Sequence, residues 1–475
     1  MADGPAHPSL AADPLDWAAA HEAAALERLD RFLAIPSVST KAEHRADVAR
    51  CAEWLTAELR RLGLAAECCP TPGHPVVVAE WRGAPAGVPT VLIYGHYDVQ
   101  PPEPLEQWHS PPFVGTVRDG RLYARGAADD KGQVWIHVQA LEATLGARGT
   151  LPVNVVLLLE GEEEIGSPSL PAFIAAHRER LACDYVVISD TVMYAPGVPN
   201  ILASMRGLAY FEIAARSAPA DLHSGQYGGV VPNAALGLAK LLAGLVDGGG
   251  RVAIPGFHDD IREPSPDRRR DIARLAFDER RFAGSVGVER LTGEEGYGPL
   301  ERLWLRPTCE INGMAGGYTG EGAKTVIPGA ALAKVSFRLV PDQTPERIER
   351  LLRDHVGRFA LPGVRFEVRR LSGGRPWTQD GGTAAIAAAR RALASVFEHE
   401  AILGGAGGTI PIVPELAQAF GADILLIGFG LPGENAHAPN EWIDLDTFRR
   451  GVRVMIRLYE ELGSRPRSLP GDLRS

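Results

Sequence analysis

The chain has 475 residues, of which 45% are hydrophobic and 23% are charged, and its formal net charge at pH 7 is −10. This composition is ordinary for a globular protein, and the length exceeds that at which single hydrophobic cores tend to split, so two domains are expected. The negative charge disfavours binding to nucleic acid or to anionic membranes, because both require a basic surface.

Three features of the sequence predict a cytoplasmic protein. No apolar run is long enough to span a bilayer, and the first residues lack the basic and then apolar layout of a signal peptide. The five cysteines are odd in number and irregularly spaced, which is typical of reduced thiols. Because no CxxC pair occurs, any metal is expected to be held by histidine and carboxylate side chains.

The first part of the chain alternates between strand-like and helical runs. Short apolar runs rich in β-branched residues predict buried strands, namely HPVVVAEW, TVLIYG, VNVVLLLEG and DYVVISD. Helices are predicted at residues 131–147 and 169–180. This alternation predicts an α/β fold, with a mixed and mostly parallel sheet flanked by helices.

The pattern changes after about residue 205. The runs LAYFEIAARS, LAKVSFRLV and VRFEVRRL alternate as half-exposed strands do, whereas NAALGLAKLLAGLVD and TPERIERLLRDHVGRF predict amphipathic helices. A helix–strand–helix pattern then returns with DGGTAAIAAARRALASVFEH, ADILLIGFG and DTFRRGVRVMIRLYEEL. We therefore predict one α/β domain formed by residues 1–204 and 376–475, interrupted by an inserted α+β domain at 205–375. The first dozen residues and the final SRPRSLPGDLRS are predicted to be loose tails.

Side chains that commonly bind metals follow several of these strands. They are His96 and Asp98 after TVLIYG, the glutamates at 162–164 after VNVVLLLEG, Asp190 after DYVVIS, and His437 beyond ADILLIGFG. A further acidic pair, Asp129 and Asp130, occurs in the glycine-bounded turn YARGAADDKGQ. Ligands of open α/β sheets bind beyond the carboxyl ends of the strands, so these side chains are expected to meet at one edge.

Each of these signals also has an ordinary structural interpretation. His96 could be a hydrogen-bonded core histidine, the glutamate run a solvated helix start, Asp190 a helix N-cap, and the pair Asp129–Asp130 a turn. Their shared position at strand ends favours a functional site, because packing requires no acids there and clustered carboxylates repel unless cations hold them together.

Two imidazoles and several carboxylates suit two divalent metal ions, with zinc expected first and manganese or cobalt as alternatives. A metal pair that shares a carboxylate can bind a hydroxide and polarise a carbonyl group. A glutamate left off the metals could then serve as general base. The pattern therefore predicts metal-assisted hydrolysis.

The chain resembles the carnosinase-type di-zinc metallopeptidases, which include the cytosolic non-specific dipeptidases and, more distantly, aminoacylases and acetylornithine deacetylases. The resemblance extends from about residue 29 to residue 462. Its motifs occur in family order: GHYDVQPP, LYARGAADDKG, LEGEEEIGS, ISD, DLHSG, GAKTVIP, RLVPDQ, GGTIP and NAHAPNE. It implies a zinc-peptidase-like fold with an inserted lid and dimerisation domain. It also implies a homodimer that hydrolyses dipeptides or short peptides with a free C-terminal carboxylate.

The resemblance implies a role for each residue of a complete metal site. One zinc would be held by His96 and Asp190, the other by Glu164 and His437, with Asp129 as the bridge. Glu163 would be the general base, and Asp98 would orient the ring of His96. The Asp129–Asp130 peptide would be cis. Glu162 matches a variable position and is expected to have no special role.

Substrate-binding residues are also implied by the resemblance. His223, Thr325 and Arg338 match positions that contact substrate, and the partner chain's copy of this histidine would donate to the oxyanion. Arg338 would pair with the substrate carboxylate, near backbone N–H groups of Gly408 and Thr409. The structural alternatives are a locally bonded loop histidine and a surface arginine on an alternating strand.

The sequence departs from the family just before GGTIP. Carnosinase-like members usually carry Arg-Glu there, and this chain carries Gly405 and Ala406. The family's glutamate would lie near the free amino group of the substrate. An N-acyl amino-acid amidohydrolase of the aminoacylase or deacetylase type, using the same site, is therefore kept as an alternative to the dipeptidase. A non-enzymatic scaffold is disfavoured, since every expected ligand position is filled.

Overall fold

The computed structural model describes residues 12–359 and 361–464. Apart from Ala12 and Ser464, the predicted tails lie outside the described residues. The chain groups into two compact units. Unit 1 contains the described residues up to Ala203, Gln379–Leu403 and those from Glu415 onward, and unit 2 contains Ser204–Thr378 and Gly404–Pro414. The domain limits expected from the sequence, at 204/205 and 375/376, stay a prediction.

Helices and strands follow one another along most of the described residues. The strands are β1 (Ala65–Cys69), β2 (Val76–Trp81), β3 (Thr90–His96), β4 (Thr116–Arg118), β5 (Arg121–Tyr123), β6 (Asn154–Glu160), β7 (Tyr185–Ile188), β8 (Asn200–Met205), β9 (Gly207–Arg216), β10 (Leu222–His223), β11 (Thr308–Gly316), β12 (Val326–Ile327), β13 (Ala330–Leu339), β14 (Arg365–Gly374), β15 (Trp377–Thr378), β16 (Ile402–Ala406), β17 (Asp423–Leu426) and β18 (Trp442–Asp444). The α-helices are α1 (Pro14–Ala20), α2 (Glu22–Leu33), α3 (Arg45–Arg61), α4 (Lys131–Arg148), α5 (Leu170–Ala176), α6 (Ser224–Tyr227), α7 (Ala234–Ala243), α8 (Pro266–Ala273), α9 (Glu279–Ser285), α10 (Pro299–Trp304), α11 (Pro345–Arg358), α12 (Ala384–Ala394), α13 (Ile412–Phe420) and α14 (Leu445–Gly463).

A mixed sheet forms the centre of unit 1, with the strand order β1-β2-β6-β3-β7-β17-β8. Its middle strands β6, β3, β7 and β17 pair in parallel, and antiparallel pairs flank them. The hydrophobic core joins this sheet to α2, α3, α4, α12 and α14. Every residue of β3 is buried, as expected of a central parallel strand covered on both faces. The prediction of a mostly parallel sheet flanked by helices is confirmed.

The register of the parallel strands determines where polar side chains emerge. His96, the last residue of β3, is paired with Glu160 at the end of β6, and Tyr94 of β3 is paired with Ile188 at the end of β7. The segments that follow these three strands therefore leave the sheet at the same edge. The helix α4 begins directly after Asp130 and is buried over most of its length, which holds the acidic pair at its N-terminus.

Unit 2 is built on an antiparallel sheet with the order β11-β13-β9-β14. Buried and partly exposed residues alternate along β9, as the sequence pattern predicts for a sheet covered on one face. The helices α7 and α11 share a hydrophobic core with the inner face of this sheet. A separate two-stranded pair, β10 and β12, carries the DLHSG and GAKTVIP motifs.

Within residues 12–359 and 361–464, no helix has the length and apolar character that crossing a membrane requires. All five cysteines are free thiols: Cys51, Cys68, Cys69, Cys183 and Cys309.

Candidate metal centre

The first group of metal-type ligands lies at the carboxyl edge of the central sheet. His96 Nε2 lies 3.0 Å from Asp129 Oδ1 and 3.9 Å from Asp190 Oδ2. One donor atom from each of these residues lies within 4.8 Å of the others. His96 is completely buried, whereas the two carboxylates are partly exposed. Imidazole and carboxylate donors at this spacing can hold one divalent cation.

The second group shares a member with the first. His437 Nε2 lies 2.9 Å from Asp129 Oδ2 and 3.3 Å from Glu164 Oε2. Asp129 therefore presents one oxygen to each group. The other oxygen of Glu164, Oε1, is buried without a hydrogen-bond partner among the described residues. A buried carboxylate oxygen that lacks a donor is one that a cation can satisfy, so the residues present fit two divalent ions that share Asp129.

Charges in this cluster are strongly perturbed. Burial raises the pKa of Asp190 well above its ordinary value, and burial raises the pKa of Glu163 to about 7. Hydrogen bonds to Asp129 and Glu164 raise the pKa of His437 to about 10. Several carboxylates so close together repel one another, and divalent cations relieve that repulsion.

Asp98 forms hydrogen bonds with His96 and with the backbone of Glu163 and Glu164. His96 Nδ1 lies 3.0 Å from the Asp98 carbonyl oxygen and 3.4 Å from its Oδ1, which leaves His96 Nε2 directed at Asp129. The Asp98 carboxylate also accepts the backbone N–H groups of Glu163 and Glu164, each at 3.2 Å. Asp98 thus orients the histidine that ends β3 through its backbone carbonyl and the glutamate pair that follows β6 through its carboxylate.

The three glutamates after β6 have different surroundings. Glu163 belongs to neither ligand group, although its carboxylate interacts electrostatically with His96, Glu164 and Asp129. Glu162 is buried and accepts the backbone N–H groups of His74 at 2.8 Å and of Ser169 at 2.9 Å. Glu162 belongs to neither ligand group, and it anchors the turn before β2 and the start of α5. The expectation that it has no special role in the site stays a prediction.

Two further residues near the ligands were not predicted to have a role. Gln100 Nε2 donates to Glu164 Oε2 at 2.8 Å, and the buried Glu441 accepts the N–H of Asp129 at 3.0 Å. They belong to GHYDVQPP and NAHAPNE, so their places inside the motifs are the signal that could have identified them. The Asp129–Asp130 peptide is cis, as the resemblance implies.

In unit 2, two residues expected to bind substrate lie close together, with His223 at the end of β10 and Thr325 directly before β12. His223 is paired with Val326, and the carbonyl of Thr325 accepts the N–H of Ser224 at 3.1 Å. Nδ1 of His223 accepts the N–H of Gly225 at 3.0 Å. The neutral ring therefore carries its proton on Nε2, and this exposed N–H can donate to a ligand.

Arg338 and Thr409 form a second group in unit 2. Arg338 lies on β13, and its Nη1 donates to Thr409 Oγ1 at 3.3 Å. The exposed Gly408 directly precedes Thr409. Burial lowers the pKa of Arg338. No ion pair with Arg338 is found within the described ranges, so this half-buried guanidinium is available to a carboxylate from a ligand.

Known proteins that resemble this chain identify its family. The model of Peptidase family M20/M25/M40 matches residues 92–461. The Cys-Gly metallodipeptidase dug1 of Schizosaccharomyces pombe is 31% identical over 460 residues, which cover 92% of this chain and 95% of that protein. The Beta-Ala-His dipeptidase of Rattus norvegicus is 32% identical over 398 residues, covering 83% and 80% respectively.

A solved structure agrees with these matches. The M20 family metallo-carboxypeptidase Sso-CP2 from Sulfolobus solfataricus is 34% identical and has a TM-score of 0.83, with 93% of this chain and 99% of that chain covered. The expected resemblance to di-metal peptidases is thus confirmed at the level of the family. This chain belongs to peptidase family M20/M25/M40 and is an enzyme of the metallopeptidase class.

Proposed function

We propose that the enzyme is a dipeptidase that hydrolyses dipeptides or short peptides with a free C-terminal carboxylate. The observation that carries this proposal is the sharing of Asp129 by two ligand groups in a member of a peptidase family. Two divalent cations held there, with zinc first and manganese or cobalt as alternatives, would supply an activated water and polarise the scissile carbonyl. The relatives named as dipeptidases support this substrate class.

Glu163 is the general base in this proposal. It takes a proton from the attacking water and returns it to the leaving amine. Its exclusion from both ligand groups supports the role, as does the bond from its backbone N–H to Asp98. The Nε2–H of His223 donates to the oxyanion that develops on the carbonyl oxygen. Arg338 binds the substrate carboxylate, assisted by Thr325, Gly408 and Thr409.

Recognition of the substrate's amino group should depend on Gly405 and Ala406, the two positions at which this chain differs from the family. A Cβ atom at Gly405 would lie 2.8 Å from both Ser204 Oγ and Trp304 Cβ. A larger side chain at this position would therefore have to displace Trp304. The family's Arg-Glu pair cannot be accommodated here without repacking, and the carboxylate that would face a free amino group is absent.

A substrate panel tests the proposed function. We expect unblocked dipeptides to be hydrolysed, but with little advantage over N-acetyl amino acids, because Ala406 supplies no charge to a free amino group. Ala406→Glu should then raise the preference for unblocked dipeptides by about tenfold or more, the worth of one hydrogen bond between charged groups. The measurement is kcat/KM for matched dipeptide and N-acetyl substrates on the zinc- and manganese-loaded enzyme.

The panel also separates the alternatives. Turnover of N-acetyl amino acids without turnover of dipeptides would identify an amidohydrolase instead. Strong rejection of N-acetyl amino acids by the wild-type enzyme would show that another residue reads the amino group. No turnover of either class together with a metal content near zero would favour a scaffold.

We further propose a homodimer formed through unit 2. The two edges of its sheet differ in character. The edge strand β14 carries charged side chains that protect it from pairing: Arg365, Glu367, Arg369 and Arg370. The opposite edge strand, β11, exposes Ile311 by 47% and Met314 by 57% and has Glu310 as its charged residue. An edge with a single charged residue and exposed apolar side chains suits pairing with a second copy about a two-fold axis.

Mixed dimers test whether the dimer completes the site. His223→Ala leaves the metal ligands intact but removes a donor, and Glu163→Ala keeps the donor but lacks the base, so each homodimer should be nearly inactive. Co-expression should form mixed dimers in which one site has both groups, with about half of the wild-type activity per mixed dimer. Activity should elute with the dimer on a sizing column. Inactive mixed dimers would place His223 within its own chain's site or outside catalysis.

The proposed setting is a reducing compartment, the cytoplasm. Five free thiols support it, because cysteines persist unpaired where thiols are kept reduced. The net charge of −10 disfavours nucleic acid or an anionic membrane as partners.

A further inference from the structure

The Glu441 carboxylate is fully buried directly behind the loop that carries Asp129. Its Oε1 accepts the backbone N–H groups of Ala128 at 2.8 Å and of Asp129 at 3.0 Å. Its Oε2 accepts the N–H of Gly126 at 3.0 Å and the guanidinium of Arg125 at 2.6 Å. Both oxygens therefore accept two N–H donors each, and all four donors come from one short stretch of chain.

This arrangement makes the conformation of the Asp129 loop depend on Glu441. A buried carboxylate is costly unless hydrogen bonds and an opposite charge replace its hydration. Here the loop at residues 125–129 supplies both, so a loop that moved would leave a buried charge without donors. The position of the shared Asp129 thus depends on a side chain whose hydrogen-bond donors all belong to the segment 125–129.

Glu441 also lies on the same loop as His437. Three non-glycine residues of this loop have left-handed backbone angles, with φ values of 58° at Asn435, 62° at His437 and 59° at Asn440. Such angles are unfavourable for most side chains and persist where surrounding contacts hold them. The amide of Asn440 binds the backbone of the segment 107–109, and Glu441 binds the segment 125–129. The loop is therefore held at its end by two consecutive side chains.

We propose that Glu441 is a positioning residue that sets the place of Asp129 relative to His437 before a cation binds. The consequence is that the group formed by Asp129, Glu164 and His437 is ready for its metal in the metal-free protein. This inference rests on the metal site of the proposed function. Glu441 itself touches neither substrate nor the reacting atoms.

Glutamine at this position is a sharp test, because it keeps the shape of the side chain. An amide has one acceptor oxygen and one NH₂ donor, whereas both oxygens of Glu441 face N–H donors. In either orientation, the NH₂ group of the amide would face two N–H donors of the loop and could accept neither of them. Glu441→Gln should therefore lose two of the four hydrogen bonds that hold the loop. A matched control is Glu434→Gln, at the base of the same loop. Burial raises the pKa of Glu434 to about 8, and its Oε1 accepts the N–H of Asp444 at 3.4 Å. The donors of the 125–129 loop go to Glu441 instead, so an amide at position 434 should leave that loop in place.

The experiment is calorimetric titration of the metal-free, full-length protein with zinc, together with thermal unfolding of each metal-free variant. We expect two zinc ions per chain for the wild type and for Glu434→Gln. Glu441→Gln should bind at least one of them about 10- to 100-fold more weakly, the usual effect of losing a group that orients a metal ligand. Unchanged affinity for both ions in a folded Glu441→Gln would overturn the inference.

A second measurement applies even if Glu441→Gln fails to fold. In metal-free wild-type protein, the amides of Ala128 and Asp129 should exchange slowly, because Glu441 already binds them. Fast exchange there, beside a protected central sheet, would mean that the metal orders the loop and would also overturn the inference. A wild type that binds no zinc would instead contradict the proposed function. The exchange measurement uses metal-free protein, so it would still test the role of Glu441.

Discussion

Glu163→Gln is expected to lower kcat by about 10²- to 10⁴-fold, the usual contribution of a general base, and to leave two metal ions bound per chain. The reason is that Glu163 belongs to neither ligand group, while its backbone is held in place by Asp98. Glutamine preserves the size of the side chain but cannot accept a proton. The two measurements are kcat on a dipeptide and metal content by elemental analysis.

The neighbouring residue provides the control. Glu164 belongs to the ligand group with Asp129 and His437, and Gln100 orients its Oε2. Glu164→Gln should therefore lower the metal content, with activity falling as a consequence. If Glu163→Gln lost metal and Glu164→Gln kept it, the roles of the two glutamates would have to be exchanged.

Arg338→Ala is expected to lower kcat/KM by about 30-fold to nearly 1,000-fold on peptides with a free C-terminal carboxylate. This range corresponds to the loss of about 2–4 kcal/mol from a charge-assisted, bidentate contact. The half-buried guanidinium is held by Thr409 and has no ion-pair partner among the described residues, so a substrate carboxylate would be its natural counter-charge.

Peptides amidated at the C-terminus separate this role from a structural one. They already lack the negative charge, so Arg338→Ala should hardly change their hydrolysis. Arg369→Ala is a matched control, since Arg369 is an exposed arginine of the same sheet that pairs with Glu212 at 2.7 Å. Equal loss on free and amidated peptides would contradict the proposed contact.

The elements around the metal centre could be predicted because their sequence patterns are unambiguous. The apolar run that forms β3 has no charged residue before its end, and the predicted helix at 131–147 corresponds to α4 at Lys131–Arg148. The predicted helix at 169–180 is shorter, since α5 covers Leu170–Ala176. The strand β11 was not predicted at all. Its residues TCEINGMAG contain glycine, and polar and apolar residues do not alternate regularly along them. This segment forms a strand because it pairs with β13.

The amino-acid sequence by itself determined which chemical groups leave the central sheet at its carboxyl edge. Apolar runs end at His96, before the glutamates and before Asp190, and parallel pairing brings such ends to one side. Only the tertiary structure decided which contacts support these groups. Glu441 accepts the N–H of Asp129 from 312 residues away along the chain. Contacts between segments so distant in sequence depend on how loops pack, which no local periodicity records.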